Sequence, residues 1–195
     1  MNFLAHIYLS GNDDEIIIGN FMADAVKGRK YENYPDGIRK GILLHRAIDS
    51  YTDQHPTVKK SKSKLYEGYG HYSGVIVDIL YDHFLAANWS EYHDQPLEDY
   101  VEAFYERLRS NFDTLPARYK RMMPYMVADN WLVKYATVDG IGVILSQMNR
   151  RTQQRSKMDQ AIKELKFYYD DFEAEFRSYF AELIDYCRHK LQDLE

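Results

Sequence analysis

The sequence predicts an all-α fold, with one compact multi-helix domain over residues 1–195, and three observations favour this class. Apolar residues recur every three or four positions along most of the chain, as on the buried face of a helix. The two-residue alternation typical of β-strands is scarce. A hydrophobic share of 45% is enough to bury a core at this length. Glycines and prolines that interrupt the pattern divide the chain into seven or eight helices: Gly11, Pro35, Pro56, Gly68, Gly70, Pro96, Pro116 and Gly140.

Composition excludes several classes of protein. The 25 Lys and Arg residues against 30 Asp and Glu give a net charge of −5, which argues against a dedicated nucleic-acid binder. A mean hydropathy of −0.57 and the absence of a long apolar run argue against a membrane-spanning helix. The first residues lack the basic region of a secretory signal, so we expect a cytoplasmic protein. A single cysteine, Cys187, excludes an internal disulfide and a cysteine-based zinc cluster.

The first two helical segments each carry one ionisable side chain within an apolar run. His6 stands among apolar residues in the first ten positions, and Asp24 stands in the run IIIGNFMADAV. Each has an ordinary structural explanation: His6 as a hydrogen-bonded core histidine, and Asp24 as a carboxylate bonded to a helix end. Either residue could instead be a metal ligand.

The third segment follows Pro35 and contains GIRKGILLHRAIDSYTD. His45, Asp49 and Asp53 are spaced four residues apart, so they follow one stripe of the helix, with Thr52 one turn beyond Asp49. Arg46 is the one basic residue close enough to pair with them. Asp53 also fits a helix terminus.

The fourth segment, GVIVDILYDHFLAA at residues 74–87, is apolar on nearly every face, which predicts a helix buried all round. Asp78 and Asp82 lie four residues apart, so their carboxylates repel each other unless a cation or a shared proton lies between them. His83 follows directly, and neighbouring Asp and His side chains can both reach one metal ion.

The later helices have apolar stripes that contain no acidic side chain and no histidine. The stripe residues are Leu97, Tyr100, Val101, Phe104 and Leu108, then Tyr119, Met122, Met123, Met126 and Val127, and finally Leu165, Tyr169, Phe172, Phe176, Tyr179, Leu183 and Cys187. The last set predicts one long amphipathic helix. Most of the 18 Tyr and nine Phe residues fit helix packing better than a cofactor site.

Several acids and imidazoles within apolar helices, with few basic partners, indicate a bound divalent cation. Oxygen and imidazole ligands without thiolate suit Mn²⁺, Mg²⁺, Fe²⁺ or Zn²⁺. The phosphate loop GxxxxGK[ST] and the zinc motif HExxH are both absent.

Four stretches together resemble the bacterial acyl-carrier-protein phosphodiesterase family: MNFLAH, GNFMAD, GILLHRAIDSYTDQHP and DILYDHFLAANW, with a weaker match at NWLVKY. The resemblance implies an all-α fold related to HD-type metal phosphohydrolases. It also implies manganese-dependent hydrolysis that removes 4′-phosphopantetheine from a serine of holo acyl carrier protein. HD-type enzymes are named after a His-Asp doublet, whereas this sequence has the reverse order, Asp82-His83.

The resemblance carries over seven site candidates: His6, Asp24, His45, Asp49, Asp78, Asp82 and His83. We expect His45, Asp82 and His83 as metal ligands, completed by His6 and Asp24. Asp49 or Asp78 would orient the attacking water or protonate the departing serine oxygen. Arg46 would hold the phosphate or pair with a surface acid.

An acidic carrier protein requires a local basic surface on a chain of net charge −5. Lys59, Lys60, Lys62 and Lys64 follow the His45 helix directly and are the preferred docking residues; the other basic clusters are Arg118, Lys120 and Arg121, and Arg150, Arg151, Arg155 and Lys157. Two alternatives remain at this point. One is a phosphohydrolase of a small nucleotide or phosphate ester, and the other is a helical binding module with a structural metal.

Overall fold

A computed structural model describes residues 1–194 and confirms the all-α class. Its α-helices are α1 (Phe3–Tyr8), α2 (Asp14–Met22), α3 (Asp36–Gln54), α4 (Pro56–Tyr69), α5 (Ser73–Ala87), α6 (Leu97–Ser110), α7 (Ala117–Ala128), α8 (Trp131–Lys134), α9 (Val138–Arg151), α10 (Ile162–Phe167) and α11 (Tyr169–Leu194). Short 3₁₀ turns connect several of them, and no β-strand occurs in the described residues. None of these helices is both long enough and apolar enough to cross a membrane.

Short helices account for the difference from the predicted seven or eight. Helices α1, α8 and α10 have only six, four and six residues. The stripe predicted as one long helix is divided at Tyr168, whose backbone (φ −108°, ψ 27°) leaves helical geometry between α10 and α11. Leu165 and Phe172 remain fully buried on either side of this break. The apolar pattern therefore continues across a helix boundary that periodicity alone does not reveal.

Helices α2 and α3 make backbone contact with each other through two glycines. A methyl group at Gly19 would lie 2.2 Å from the carbonyl oxygen of Ile38, and one at Gly41 would lie 2.1 Å from that of Ile16. Any side chain there would force the helices apart. The contact places Asn20 of α2 beside His45 of α3.

Helix α11 runs along the core and packs against α3, α4 and α5. It buries an aromatic stripe that includes Phe172, Phe176, Tyr179 and Phe180. Tyr179 reaches α3, where its hydroxyl lies 2.5 Å from Thr52 Oγ1. The helix that carries His45 is therefore held between α2 on one side and α11 on the other.

Candidate metal centre

Two buried histidines from distant parts of the chain form the centre of the site. His6 lies in α1 and His45 in α3, and their rings stack with centroids 4.0 Å apart. His6 is 3% exposed and His45 is 8% exposed. Two imidazoles at this distance cannot both be positively charged without strong repulsion.

Asn20 determines which nitrogen of each ring carries its proton. Its side-chain amide nitrogen donates to the His6 carbonyl oxygen (3.0 Å) and to Ser10 Oγ (2.8 Å), which leaves its oxygen facing the two rings. That oxygen lies 2.8 Å from Nδ1 of His6 and 3.1 Å from Nδ1 of His45. Both Nδ1 atoms are therefore N–H donors, so that in the neutral form of each ring Nε2 carries the lone pair that a cation can accept.

The carboxylates of Asp49 and Asp24 face these Nε2 atoms. The two Asp49 oxygens lie 3.3 Å from Nε2 of His6 and 3.2 Å from Nε2 of His45, so one carboxylate bridges both rings. Asp24 lies 3.5 Å from Nε2 of His45, and its side chain is 61% exposed. The cluster thus has a buried imidazole side and a carboxylate side that opens to solvent.

The pKa values of these groups respond to burial and to one another. Burial, helped by the neighbouring His45, lowers the pKa of His6 to about 4. Burial disfavours a charged His45, but the carboxylates of Asp24 and Asp49 outweigh it and raise its pKa to about 9. Burial opposes ionisation of Asp49, yet the two histidines hold its pKa well below the usual range. Without a cation, His45 carries the positive charge of the cluster at neutral pH.

One buried atom marks where a cation fits. Among the fully buried side-chain nitrogen and oxygen atoms of residues 1–194, Nε2 of His6 is the one that has no hydrogen-bond partner. Ligand atoms of His6, His45 and Asp49 all lie within 4.8 Å of one another. Two imidazole nitrogens and carboxylate oxygens form a donor set that suits a borderline or hard divalent cation. The described residues therefore contain a His/Asp cluster with the composition and spacing of a metal site.

The cluster lies in a cleft of about 220 Å³, which Asn2, Phe3, Thr52, Asp53 and Asp78 also line. Asp78 is on α5 and accepts from the amino group of Met1 at 2.9 Å. Of the predicted site residues outside the His/Asp cluster, Asp78 is the acid that lines this cleft.

Comparison with known proteins places the chain in a family. The sequence profile described as "Acyl carrier protein phosphodiesterase" matches residues 1–183. The chain belongs to the acyl carrier protein phosphodiesterase family. A protein of this name from Pectobacterium atrosepticum is 30% identical over 96% of this chain and 98% of its own length. Those from Yersinia pestis and Photorhabdus laumondii are 29% and 30% identical, over 97% of this chain and 99% and 96% of their own lengths.

These matches confirm the family resemblance seen in the sequence. The name shared by the family and these relatives denotes a hydrolase of a phosphodiester bond. No solved structure matches the chain, so the relation to HD-type enzymes remains a prediction.

Asp82, expected as a ligand, is separated from the cluster in this member of the acyl carrier protein phosphodiesterase family. Its carboxylate accepts from the backbone N–H groups of Asn2 (3.2 Å), Leu4 (2.7 Å) and Ala5 (3.3 Å). These are donors that the first turn of a helix leaves without intrahelical partners. Burial raises the pKa of Asp82 to about 7, and the N–H donors oppose this rise. Asp82 therefore stabilises the first turn of α1, the helix that carries His6.

His83 also departs from the expected ligand set. Its Nδ1 lies 2.7 Å from the carbonyl oxygen of Tyr135, and its Nε2 lies 3.0 Å from the hydroxyl of Tyr169. Both ring nitrogens thus have hydrogen-bond partners within the chain, and His83 is not among the residues that line the cleft. Burial lowers the pKa of His83, as expected for a neutral core histidine.

Arg46 lies outside the cleft and does not contact the cluster. Its guanidinium donates to the carbonyl oxygens of Val26 and Gly28, each at 2.8 Å, and lies 5.0 Å from the ring centre of Tyr31. In the described residues it is in no ion pair with a surface acid, and it is not among the residues that line the cleft. The arginine instead ties α3 to the segment that follows Asp24.

The lysines expected to dock a partner are largely engaged within the chain. Lys60 and Lys64 pair with Glu175, and Lys62 pairs with Asp53 at 2.8 Å. Lys59 is exposed and is in no ion pair of the described residues.

Asn20 is the site residue that sequence reasoning missed. It stands within GNFMAD, but an amide carries no charge, so a search for ionisable groups in apolar runs passes over it. Its complete burial within the run IIIGNFM is the signal that could have drawn attention to it.

Proposed function

We propose that the protein hydrolyses the phosphodiester bond that joins 4′-phosphopantetheine to a serine of holo acyl carrier protein. The products are apo carrier protein and free 4′-phosphopantetheine. Family membership over residues 1–183 supports the substrate. The convergence of both histidine Nε2 atoms on Asp49 carries the proposal for this chain, because two imidazole nitrogens and a carboxylate that line one cleft form a donor set suited to a divalent cation.

We propose His6, His45 and Asp49 as the residues that hold a divalent cation, with Asp24 as the exposed fourth ligand. Mn²⁺ is the proposed ion, since it accepts mixed imidazole and carboxylate ligands and the family resemblance implies it. When bound, such an ion neutralises charge on the phosphate oxygens and lowers the pKa of water.

The remaining residues divide the other tasks. Asn20 keeps both rings in the tautomer that directs Nε2 to the cleft. Asp78, which lines the cleft, accepts a hydrogen bond from the attacking water and so orients it toward phosphorus. As the oxygen of the water bonds to phosphorus, the bond from phosphorus to the serine oxygen breaks. One proton passes from the water to the serine oxygen.

The proposed location of the enzyme is the cytoplasm. Cys187 is the only cysteine of the chain and is buried, which agrees with a reducing compartment.

The test is incubation of the purified protein with holo acyl carrier protein and Mn²⁺, followed by mass measurement of the intact carrier protein. We expect the phosphopantetheine mass to be lost with Mn²⁺ and retained with a chelator. The variant His45→Gln should lose the activity, whereas His189→Gln, which changes an exposed histidine of α11, should retain it. An unchanged carrier-protein mass, in the presence of enzyme that demonstrably binds Mn²⁺, would overturn the proposed substrate.

A further inference from the structure

A second concave surface lies beside the cleft, and four arginines border it. Arg118 and Arg121 are on α7, and Arg150 and Arg151 are at the end of α9. They surround an open groove of about 930 Å³. We call this surface the arginine groove. Two basic clusters that are separate in the sequence thus become one surface in the fold.

All four arginines are exposed and none is in an ion pair of residues 1–194. By contrast, Arg107, Arg109 and Arg177 each pair with a carboxylate elsewhere on the surface. The acid at the edge of the groove, Asp129, already bonds to Lys134 and Gln147. A chain of net charge −5 therefore leaves four guanidinium groups without an anionic partner at one place.

Apolar and aromatic side chains line the groove together with the arginines. Tyr125 is 72% exposed, and Trp131 lies beneath the guanidinium of Arg151, 5.3 Å from it. Met122 also lines the groove. Arginine together with exposed aromatic side chains is the composition enriched at the energetic centres of protein interfaces.

The groove is continuous with the catalytic cleft. A passage of about 260 Å³ is lined by Arg118, Trp131 and Arg151 from the groove, and by Asp24 and Asp78 from the cleft. A molecule that places a phosphodiester in the cleft therefore extends its adjoining surface toward the arginines.

From this arrangement we infer that the arginine groove is the docking surface for the acidic protein face that flanks the phosphorylated serine of the substrate. The inference rests on the proposed function. Guanidinium groups form paired hydrogen bonds with carboxylates, and a cluster of them attracts an acidic partner before contact. The Lys59–Lys64 region is the weaker candidate, because three of its four lysines are neutralised within the chain.

The experiment compares two double charge reversals. Arg121→Glu/Arg150→Glu alters the groove, and Lys163→Glu/Lys166→Glu changes net charge equally on two exposed lysines of α10. Binding of apo carrier protein is followed by the fluorescence of Trp131, since the other tryptophan, Trp89, is buried. Kinetic constants for holo carrier protein are measured in parallel.

We expect the groove variant to bind apo carrier protein at least tenfold more weakly and to show a similar rise in KM with kcat within about twofold of the unmodified protein. The α10 variant should change affinity and KM by less than twofold. Equal losses in both variants, or no loss in either, would overturn the docking surface.

The two proposals fail in different ways. If the unmodified protein hydrolyses holo carrier protein but the groove variant retains its KM, the docking inference is wrong and the activity stands. If apo carrier protein binds through the arginines without any release of phosphopantetheine, the activity is wrong and the docking surface stands. Absence of both binding and hydrolysis would overturn both.

Discussion

The imidazole rings of His6 and His45 stack 4.0 Å apart, and the side-chain oxygen of Asn20 lies within 3.1 Å of Nδ1 in both. One amide thus orients two rings that come from different helices. Mutation of a residue that orients metal ligands in this way typically lowers metal affinity by about 10–100-fold.

Replacing Asn20 should therefore weaken cation binding without touching a ligand. We expect Asn20→Ala to lower Mn²⁺ affinity by about 10–100-fold, because either ring nitrogen can then carry the proton. The matched control is Asn149→Ala, another buried asparagine, which bonds to Asp159 and Ser156 away from the cleft. Calorimetric titration with Mn²⁺ should show less than a twofold change for the control; equal affinities in both variants would contradict the orienting role.

Asp82 should prove important for stability. Asp82→Ala leaves three N–H groups at the start of α1 without their acceptor, so we expect the free energy of unfolding to fall by about 3 kcal/mol. Urea unfolding without metal measures this loss. Asp49→Asn is the comparison, and it should mainly weaken Mn²⁺ binding. A stable Asp82→Ala protein that no longer binds Mn²⁺ would restore Asp82 to the ligand set.

His83 should make the fold less stable as the solution becomes acidic. In the folded protein the pKa of His83 lies below 6.5, which is the ordinary value that the residue has in the unfolded chain. Between the folded and the unfolded pKa, the unfolded chain therefore binds more protons than the folded chain. The stability of the fold is not reduced by His83 above pH 6.5. It declines as the pH falls below 6.5, because the unfolded chain then gains a proton that the folded chain does not. Tyr135 and Tyr169 face the ring with hydrogen bonds, and Glu173 is the nearby acid.

Urea unfolding at pH 7.5 and pH 5.5 checks this dependence. The loss of stability between the two pH values should be smaller in His83→Gln than in the unmodified protein. An identical loss in both proteins would show that His83 keeps its ordinary pKa in the fold.

The contact between α2 and α3 provides a test with an internal control. A Cβ atom at Gly41 would overlap the Ile16 carbonyl, so Gly41→Ala should destabilise the fold by more than about 2 kcal/mol. Gly142 lies in α9 with open space around it, and Gly142→Ala should stabilise the fold by about 0.5–1 kcal/mol through helix propensity. Thermal unfolding of both variants measures the difference. Similar melting temperatures would argue against the close packing.

The helical class could be predicted from sequence, and His6, Asp24, His45 and Asp49 are among its seven site candidates, because ionisable groups in apolar helical runs stand out there. The sequence did not predict that Asp49, expected to act on the water or the leaving group, faces both histidines. The orientation of α5 could not be predicted either. A helix that is apolar on nearly every face gives no indication which neighbour each side faces, so Asp78, Asp82 and His83 look equivalent. In the fold they have three different surroundings: the cleft, the start of α1, and the pair Tyr135 and Tyr169.

The basic surface was unpredictable for a related reason. Whether a lysine or arginine remains unpaired depends on acids brought near by tertiary contacts, as Glu175 of α11 is brought to Lys60 and Lys64 of α4. Sequence order placed Lys59–Lys64 next to the His45 helix. Folding instead neutralised most of that cluster and joined two others into one groove.

The shortness of α1 has a consequence for the order of folding. Six residues cannot form a stable helix alone. Its first turn is completed by Asp82, from a helix about eighty positions later in the chain, so His6 reaches its place only after α5 has packed. The proposed cation binding by the complete cluster would therefore report that the two distant segments have joined, and partly folded chains should bind Mn²⁺ weakly.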